Sequence, residues 1–176
     1  RKPFSVGELS ALLSAPIYQS HAVPASSDDA SWKYWLPLLG LFTGMRIGEI
    51  CQLRGMDIEQ VGEHWTIQIR ADKRAGTSIK NPQSERRVPV HPELIALGFI
   101  EAFGETDATA WLFPSLRTRK DASDTASKWF GRFRVSMGLT EPETVFHSFR
   151  HTFRDALREA GVDEERSFRL GGWSKG

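Results

Sequence analysis

Cysteine is almost missing from this chain of 176 residues, because Cys51 is the only one. A single thiol permits no disulfide within the chain, and stable disulfides are typical of oxidising compartments. Nothing therefore indicates an oxidising environment, and we expect a protein of the reducing cytoplasm.

Long apolar runs are missing too. The best candidate, residues 32–42, is interrupted by Lys33 and Pro37, and a membrane-spanning helix needs about 18 apolar residues in a row. The chain begins with Arg1 and Lys2 and continues into a capped helix, so we expect no secretory signal at this position. We expect no membrane contact. Because the sequence does not start with methionine, we also expect a domain taken from a longer protein.

Charge of one sign is not in excess either, since 23 Lys and Arg residues face 22 Asp and Glu residues. This balance excludes a highly basic nucleic-acid-binding tail, so any binding of nucleic acid must depend on the local placement of cations. Hydrophobic residues make up 40% of the chain, which is enough for an ordinary core and excludes disorder. The length is that of one domain.

Helical patterns alternate with one short region of strand patterns. Ser5 and Glu8 form an S-x-x-E capping box before a first helix. Residues 65–70 and 87–90 show the two-residue alternation of strands, and Pro89 favours an edge strand. Further helices are predicted at residues 32–42, 46–53, 92–103, 122–137, 148–160 and 163–171, with a loop at 15–29. The expected fold class is mainly α with a small antiparallel β-sheet, an α+β arrangement.

Two histidines and an arginine lie close together in the segment H-S-F-R-H at residues 147–151. Residues three and four apart share a helical face, so His147, Arg150 and His151 can converge on one ligand. The two histidines have zinc-site spacing, but Ser148 stands where the H-E-x-x-H motif needs glutamate, and the arginine would oppose a divalent cation. We expect no metal and no cofactor. Cations at a helix N-terminus instead favour an anion such as phosphate.

An earlier segment, T-G-M-R-I-G-E-I at residues 43–50, contains a second candidate. Arg46 follows a glycine turn, and Glu49 lies one helical turn further on. An arginine of this kind is usually solvated or paired with its glutamate. The order along the chain favours a functional interpretation, because Arg46 is followed by Lys80 before a strand and then by His147 and Arg150.

Together these segments resemble the catalytic domain of the tyrosine recombinase, or phage integrase, family. Residues 43–50 resemble its first arginine box, and residues 147–153 (H-S-F-R-H-T-F) resemble the second box, H-x-x-R. Lys80 with residues 84–91 (S-E-R-R-V-P-V-H) resembles the sheet lysine, and residues 170–173 (L-G-G-W) resemble the segment that ends in His or Trp. Four boxes in the right order are far more specific than one. The resemblance implies that residues 1–176 form one catalytic domain with the DNA breaking-rejoining fold.

The resemblance also implies a mechanism. Members of this family attack a DNA phosphodiester with a tyrosine, form a 3′-phosphotyrosyl intermediate and release a 5′-hydroxyl. Two guanidinium groups, Arg46 and Arg150, would clamp the negative charge of the transition state. Lys80 would be the general acid for the leaving oxygen, with Lys73 as the alternative.

Four further residues have roles in this comparison, His147 and Trp173 as catalytic residues and Glu49 and His151 as supporting ones. His147 would be the acid/base partner or a phosphate donor, with a pKa near the working pH. Trp173 would donate its indole N–H to the phosphate. Glu49 is expected to hold Arg46 through an i,i+3 contact, and His151 is expected to be a packed structural histidine.

One essential part of the mechanism is missing. The family's nucleophilic tyrosine should lie roughly nine residues beyond Trp173, and the chain ends at Gly176. Tyr18 and Tyr34 are the only tyrosines, and both precede Arg46. We therefore expect a truncated domain that binds the scissile phosphate but cannot cleave DNA alone, without the tyrosine-bearing tail and without the family's N-terminal core-binding domain.

A group of cations forms a candidate surface for the DNA backbone. On the predicted helix 122–137, Lys128 and Arg132 share one face, while Trp129 and Phe133 share the adjoining face. The expected DNA-binding residues are Arg117, Arg119, Lys120, Lys128, Arg132 and Arg134. Such contacts position DNA without selecting its sequence, and a merely solvated basic face is the alternative.

The expected partner is double-stranded DNA, and the expected process is DNA integration. The full-length protein would be a tetramer associated with the nucleoid, and this fragment a monomer. A noncatalytic DNA-binding module and a type IB topoisomerase-like domain stay open as alternatives. Anchoring alone needs no general acid together with a histidine, which argues against the first. The short length and the R-I-G-E-I form of the first box argue against the second.

Overall fold

The computed structural model describes residues 1–20, 30–79, 82–118 and 121–173. In these ranges the helices are α1 (Val6–Leu13), α2 (Pro16–Gln19), α3 (Ser31–Thr43), α4 (Ile47–Cys51), α5 (Pro92–Ala96), α6 (Phe99–Phe103), α7 (Pro114–Arg117), α8 (Ala122–Ser136), α9 (Ser148–Glu159) and α10 (Glu164–Gly171). The strands are β1 (Ile58–Val61), β2 (His64–Ile69) and β3 (Arg86–Pro89). None of the helices within these ranges has the length and apolar character needed to cross a membrane.

The three strands form one antiparallel sheet in the order β1-β2-β3. Ile67 on the central strand pairs with Ile58 on one side and Val88 on the other, and all three side chains are buried. Along β3, burial alternates with a period of two, so Arg86 is buried while the next residue, Arg87, is exposed. The edge position predicted from Pro89 is confirmed.

The main helical packing joins α3 to α9. Gly40 on α3 leaves room for aromatic rings, since a Cβ there would lie 2.8 Å from the ring of Phe146 and 2.9 Å from that of Phe149. Phe130 on α8 completes the cluster, with its ring centroid 5.4 Å from each of those two rings. This aromatic packing fixes the start of α9, where the H-x-x-R segment lies, against the rest of the core.

The predicted elements differ from the structure in three places. Strand β1 was not predicted, because its sequence I-E-Q-V does not alternate. The helix predicted at residues 92–103 is two helices, separated by Gly98 in the left-handed conformation (φ 87°), which an α-helix excludes. The short helices α2 and α7, each with proline at its first position, lie in segments read as loop or left unassigned.

Candidate active site

Arg46 lies immediately before α4, after the turn that ends α3. Gly44 forms this turn with φ 61°, and a Cβ there would overlap the ring of Phe153. The backbone N–H of Arg46 donates to Glu49 Oε2 (2.8 Å), and its Nη1 donates to Glu49 Oε1 (2.6 Å) and to Ser84 Oγ (2.9 Å). The predicted i,i+3 contact between Arg46 and Glu49 is therefore present. The side chain of Arg46 stays 22% exposed.

A second arginine shares the same carboxylate. Arg86 donates from Nη2 to Glu49 Oε2 (2.9 Å) and from Nη1 to Glu49 Oε1 (3.2 Å), and both side chains are buried. Burial raises the pKa of Glu49, but the hydrogen bonds from Arg86 and Arg46 outweigh burial and hold this pKa below its usual value. The sequence analysis did not single out Arg86. The sequence does indicate that Arg86 is buried, because the two-residue period of β3 places it on the same face as buried Val88.

Arg150 is almost fully buried, with 2% of its surface exposed. Its Nη1 donates to the carbonyl oxygen of Gly44, and its Nη2 donates to that of Gly171 (2.7 Å). Its Nε is also buried and has no hydrogen-bond partner among the described residues. Burial, followed by the charges of Arg46 and Arg86, lowers the pKa of Arg150 to about 9, so the guanidinium stays protonated at neutral pH.

The end of α10 lies against these arginines. Gly172 ends the helix with φ 61°, and its carbonyl oxygen accepts a long hydrogen bond from Arg46 Nη2 (3.5 Å). A Cβ on Gly171 would overlap the ring of Trp173. That ring lies 5.2 Å from Cζ of Arg150, which is a cation–π contact. The L-G-G-W segment therefore contacts both predicted clamp arginines, through two backbone carbonyl oxygens and the ring of Trp173.

His147 immediately precedes α9 and lines an open cleft of about 470 Å³ together with Arg46 and Glu49. Burial is the largest of several causes that lower the pKa of His147 to about 4, and the charges of Arg150, His151 and Arg46 contribute. The expectation of a pKa near the working pH is therefore wrong for this site. Burial and the surrounding cations disfavour the imidazolium form.

The predicted catalytic side chains do not all face this cleft. Arg150 is buried and is not among the residues that line it. Trp173 lines a second hollow, of about 500 Å³, together with Arg86. His151 is half-buried, and its ring lies edge-on to that of His147 with centroids 5.4 Å apart. The arginines of the site thus differ in depth, because Arg46 lines the cleft and is partly exposed, whereas Arg86 and Arg150 are buried.

The predicted lysine could not be placed. Lys80 lies outside the described residues. The alternative, Lys73, is exposed in the short 3₁₀ turn Lys73–Ala75 between β2 and β3. The choice between the two lysines stays a prediction.

The charges at the site do not balance. Arg46, Arg86 and Arg150 carry three positive charges, and Glu49 is the acid that ion-pairs with two of them in the described part of the chain. Buried charges are costly unless they are paired. An excess of positive charge beside an open cleft therefore favours an anion as the ligand.

Neither tyrosine lies in the cleft. The hydroxyl of Tyr18 donates to the backbone carbonyl of Tyr34 (3.1 Å), and the two ring centroids are 5.3 Å apart. Burial raises the pKa of Tyr18, and Tyr34 is buried in the core. Both side chains belong to the packing of the domain, and neither is placed to attack a phosphate held at Arg46.

The exposed face of α8 contains two of the predicted DNA-binding cations. Lys128 pairs with Asp124 (2.7 Å), and both side chains are largely exposed. Arg132 is exposed one turn further on. On the adjoining face, Trp129 and Phe133 stack with centroids 5.0 Å apart. The predicted division into a cationic and an aromatic face is present.

The other predicted cations have different surroundings. Arg134 donates from Nη1 to the carbonyl oxygens of Leu139 and Glu141 and so holds the loop after α8. Arg117 lies over the ring of Trp111, 4.3 Å from its centroid. Arg119 and Lys120 lie outside the described residues. Within the described chain, the exposed cations of the predicted surface are therefore those of α8.

The family model described as "Phage integrase family" matches residues 8–176. The chain belongs to the phage integrase family. Its fold, helical with a three-stranded antiparallel sheet, is that of the tyrosine recombinase catalytic domain, which confirms both the resemblance and the predicted fold class. A search of curated proteins finds no match to this integrase domain.

Solved structures show the same fold. A crystal structure of XerA recombinase is 21% identical with a TM-score of 0.68, and the alignment covers 99% of this chain and 55% of that one. XerH recombinase bound to its difH substrate is 20% identical with a TM-score of 0.63, and the alignment covers 99% of this chain and 48% of XerH. The Tn1549 transposon integrase with transposon right end DNA is 21% identical with a TM-score of 0.62, and the alignment covers 98% of this chain and 58% of that integrase. The integrase domain described here spans about half the length of these proteins.

Proposed function

We propose that this domain binds the scissile phosphate of double-stranded DNA and, in a protein that supplies the nucleophilic tyrosine, catalyses site-specific recombination. The observation that carries the proposal is the excess positive charge of Arg46, Arg86 and Arg150 around Glu49, beside the cleft lined by His147. Fixed donors of this kind stabilise charge that develops in a transition state, because they need no reorganisation when the reaction occurs. The relatives solved with DNA, XerH and the Tn1549 integrase, support DNA as the ligand.

In the proposed complex, the arginines differ in role. Arg46 lines the cleft, and the hydrogen bond from its Nη2 to Gly172 O is long (3.5 Å), so it can turn its donors toward the nonbridging oxygens of a phosphate. Arg150 is held by two carbonyl oxygens and contributes fixed positive charge from the buried side. Two guanidinium groups at different depths would stabilise the pentacovalent transition state, whose charge is concentrated on those oxygens.

The cleavage step exchanges one phosphate ester for another. The tyrosine oxygen attacks phosphorus and loses its proton, the bond between phosphorus and the 5′-oxygen breaks, and the leaving oxygen takes up a proton. Lys80, or Lys73 in its place, is the proposed general acid for that last transfer. His147, whose pKa is about 4, is neutral at pH 7 and can accept the tyrosine proton. A bound phosphate would raise this pKa and favour the transfer.

The nucleophile has to come from outside this sequence, since Tyr34 is buried in the core and the hydroxyl of Tyr18, which packs against it, donates to the Tyr34 carbonyl. We propose that the 176-residue domain alone is a monomer that binds DNA without cleaving it, and that the full-length protein acts as a tetramer. The burial of both tyrosines equally favours a noncatalytic DNA-anchoring module as the second candidate function.

One experiment separates these two candidates. The domain, extended at its C-terminus by the tyrosine-bearing segment, is incubated with a nicked suicide substrate that carries its core site, and covalent adduct is measured on a denaturing gel. We expect adduct from the extended chain and none from the 176-residue chain or from a tyrosine-to-phenylalanine variant. No adduct from the extended chain would refute the enzymatic proposal and leave the anchoring module.

The role of the lysine is tested with a 5′-phosphorothiolate substrate, whose leaving group needs no proton. Cleavage of this substrate should be restored in Lys80→Ala but not in Arg46→Ala, with Lys73→Ala as the matched variant. Restoration in Lys73→Ala instead would transfer the general-acid role to Lys73. Failure to restore cleavage in either lysine variant would remove this role from both.

A further inference from the structure

We infer that Arg86 is a positioning residue for the phosphate clamp, an inference that rests on the proposed function. Its guanidinium is the point at which α4, the turn before β3 and the end of α10 meet. It donates to Glu49 on α4 through two bonds, from Nη1 to the carbonyl oxygen of Ser84 (2.9 Å), and from Nε to that of Leu170 (2.8 Å). Every nitrogen of this guanidinium therefore has a partner.

The partners of Arg86 are also the surroundings of Arg46. Arg46 donates to three groups, the Glu49 carboxylate, the Ser84 hydroxyl and the Gly172 carbonyl. Arg86 bonds directly to the first two of these residues. It also packs against the third, because a Cβ on Gly172 would lie only 2.9 Å from Arg86 Nη1. The position of Arg46 thus depends on groups that Arg86 holds in place.

Arg150 is connected to Arg86 through the backbone at the end of α10. Its Nη2 donates to the carbonyl oxygen of Gly171. That residue lies between Leu170, whose carbonyl Arg86 binds, and Gly172, against which Arg86 packs. Trp173 follows directly. Arg86 therefore fixes the segment that contacts both clamp arginines, although Arg86 itself does not line the cleft of His147.

Only an arginine can make this set of contacts. Its planar fork binds a carboxylate through two parallel bonds and still has Nε for a third acceptor, whereas lysine has a single charged nitrogen. Lysine at this position keeps the charge beside Glu49 but cannot hold Glu49, Ser84 and Leu170 together. A misplacement of about 1 Å at a reacting centre can cost about 100-fold in rate.

The test compares Arg86→Lys with Arg87→Lys, the same substitution at the next residue of β3. Arg87 is exposed and pairs with Glu59 on the surface (2.9 Å). In the extended chain, we expect Arg86→Lys to reduce the single-turnover cleavage rate about 10-fold to 100-fold while its Kd for DNA stays within about 2-fold. We expect Arg87→Lys to leave both within about 2-fold. A cleavage rate for Arg86→Lys equal to that of the parent would overturn the inference.

A second readout needs no cleavage. In the 176-residue chain, Arg86→Lys should move the NMR signals of the Trp173 indole N–H and the Arg46 Nε–H, and Arg87→Lys should not. If the parent extended chain forms no adduct but these signals move, the proposed function fails and the positioning role stands. Unmoved signals in Arg86→Lys refute that role. Arg86→Gln, which keeps a donor and removes the charge, should give the same shifts where Arg86→Lys does not fold.

Discussion

The domain has two cationic regions that differ in almost every physical respect. In the buried arginine cluster (Arg46, Arg86 and Arg150 around Glu49), the guanidinium groups are held by a shared carboxylate and by backbone carbonyls. On the exposed face of α8 (Lys128 and Arg132), the charged groups lie in solvent, and Lys128 pairs with Asp124, a neighbour on its own helix.

The difference shows how burial decides what a cation can do. An exposed ion pair gains about 0–1 kcal/mol and is screened by salt. A buried charge is expensive to leave unpaired, so its partners hold it in one geometry, and its field acts in a low dielectric. We therefore propose that the buried arginine cluster stabilises the transition state. For the exposed face of α8 we propose, at most, a salt-dependent positioning of DNA.

The largest expected effect is on stability and comes from Glu49. Glu49→Gln leaves Arg46 and Arg86 without their carboxylate, and breaking a buried ion pair costs about 3 to 5 kcal/mol. Glu59→Gln is the matched control, because it removes only the exposed pair with Arg87, and we expect a loss of at most about 1 kcal/mol. The free energy of unfolding is measured by urea denaturation in phosphate-free buffer. Equal losses in the two variants would contradict the contrast between buried and exposed pairs.

The next effect is on catalysis. Arg46→Ala or Arg150→Ala in the extended chain should reduce the single-turnover cleavage rate by about 10²-fold to 10³-fold, the usual cost of removing one fixed donor. Arg158→Ala serves as the control, because Arg158 is exposed on α9 and pairs with Asp155. Its cleavage rate should stay within about 2-fold of the parent. A comparable loss in the control would show that general charge, not the buried arginine cluster, supports cleavage.

A smaller effect is expected on DNA binding. Lys128→Ala and Arg132→Ala should each weaken DNA binding a few-fold, equally for all sequences, and lower the slope of log K against log salt by about 1. Fluorescence anisotropy at several salt concentrations measures both quantities. An unchanged slope in both variants would mean that this face is merely solvated.

The fourth effect is a pH dependence of stability. His147 has a pKa of about 4 in the folded chain and about 6.5 in the unfolded chain. Between pH 4 and pH 6.5 the unfolded state binds more protons at His147 than the folded state does. The contribution of His147 to the free energy of unfolding is therefore fully present above pH 6.5 and is lost as the pH falls to 4. His147→Gln should flatten the decrease of Tm across that window. His64→Gln, at an exposed position on β2, should keep the slope of the parent, and an unchanged slope in His147→Gln would contradict the assignment.

Much of the fold followed from local patterns in the sequence. The capping box at Ser5 and Glu8, the apolar helix α3 and the strand β2 were predicted from neighbours in the chain, and the structure contains all three. Strand β1 is different, because its sequence alternates poorly and its pairing with β2 stabilises it. Such pairing is a tertiary effect that local patterns do not encode.

The candidate site was predictable in part. Arg46, Arg150 and His147 could be found because motifs preserve their order along the chain, whereas Arg86 was missed. Their arrangement in depth could not be predicted, since it depends on contacts across 126 positions between Arg46 and Gly172 and 106 between Arg150 and Gly44. The lowered pKa of His147 was missed because its main cause is burial, which depends on the tertiary packing, with the charges of Arg150 and His151 as further causes.

The central claim is that the buried arginine cluster creates an anion site at the cleft of His147. The most direct test is the pKa of His147, measured by NMR on the 176-residue chain with and without sulfate, a phosphate analogue that keeps its charge across the titration. We predict a pKa of about 4 without sulfate and a saturable rise toward the ordinary histidine value with it, because the bound anion favours the imidazolium. A pKa that does not change at any sulfate concentration would contradict the account.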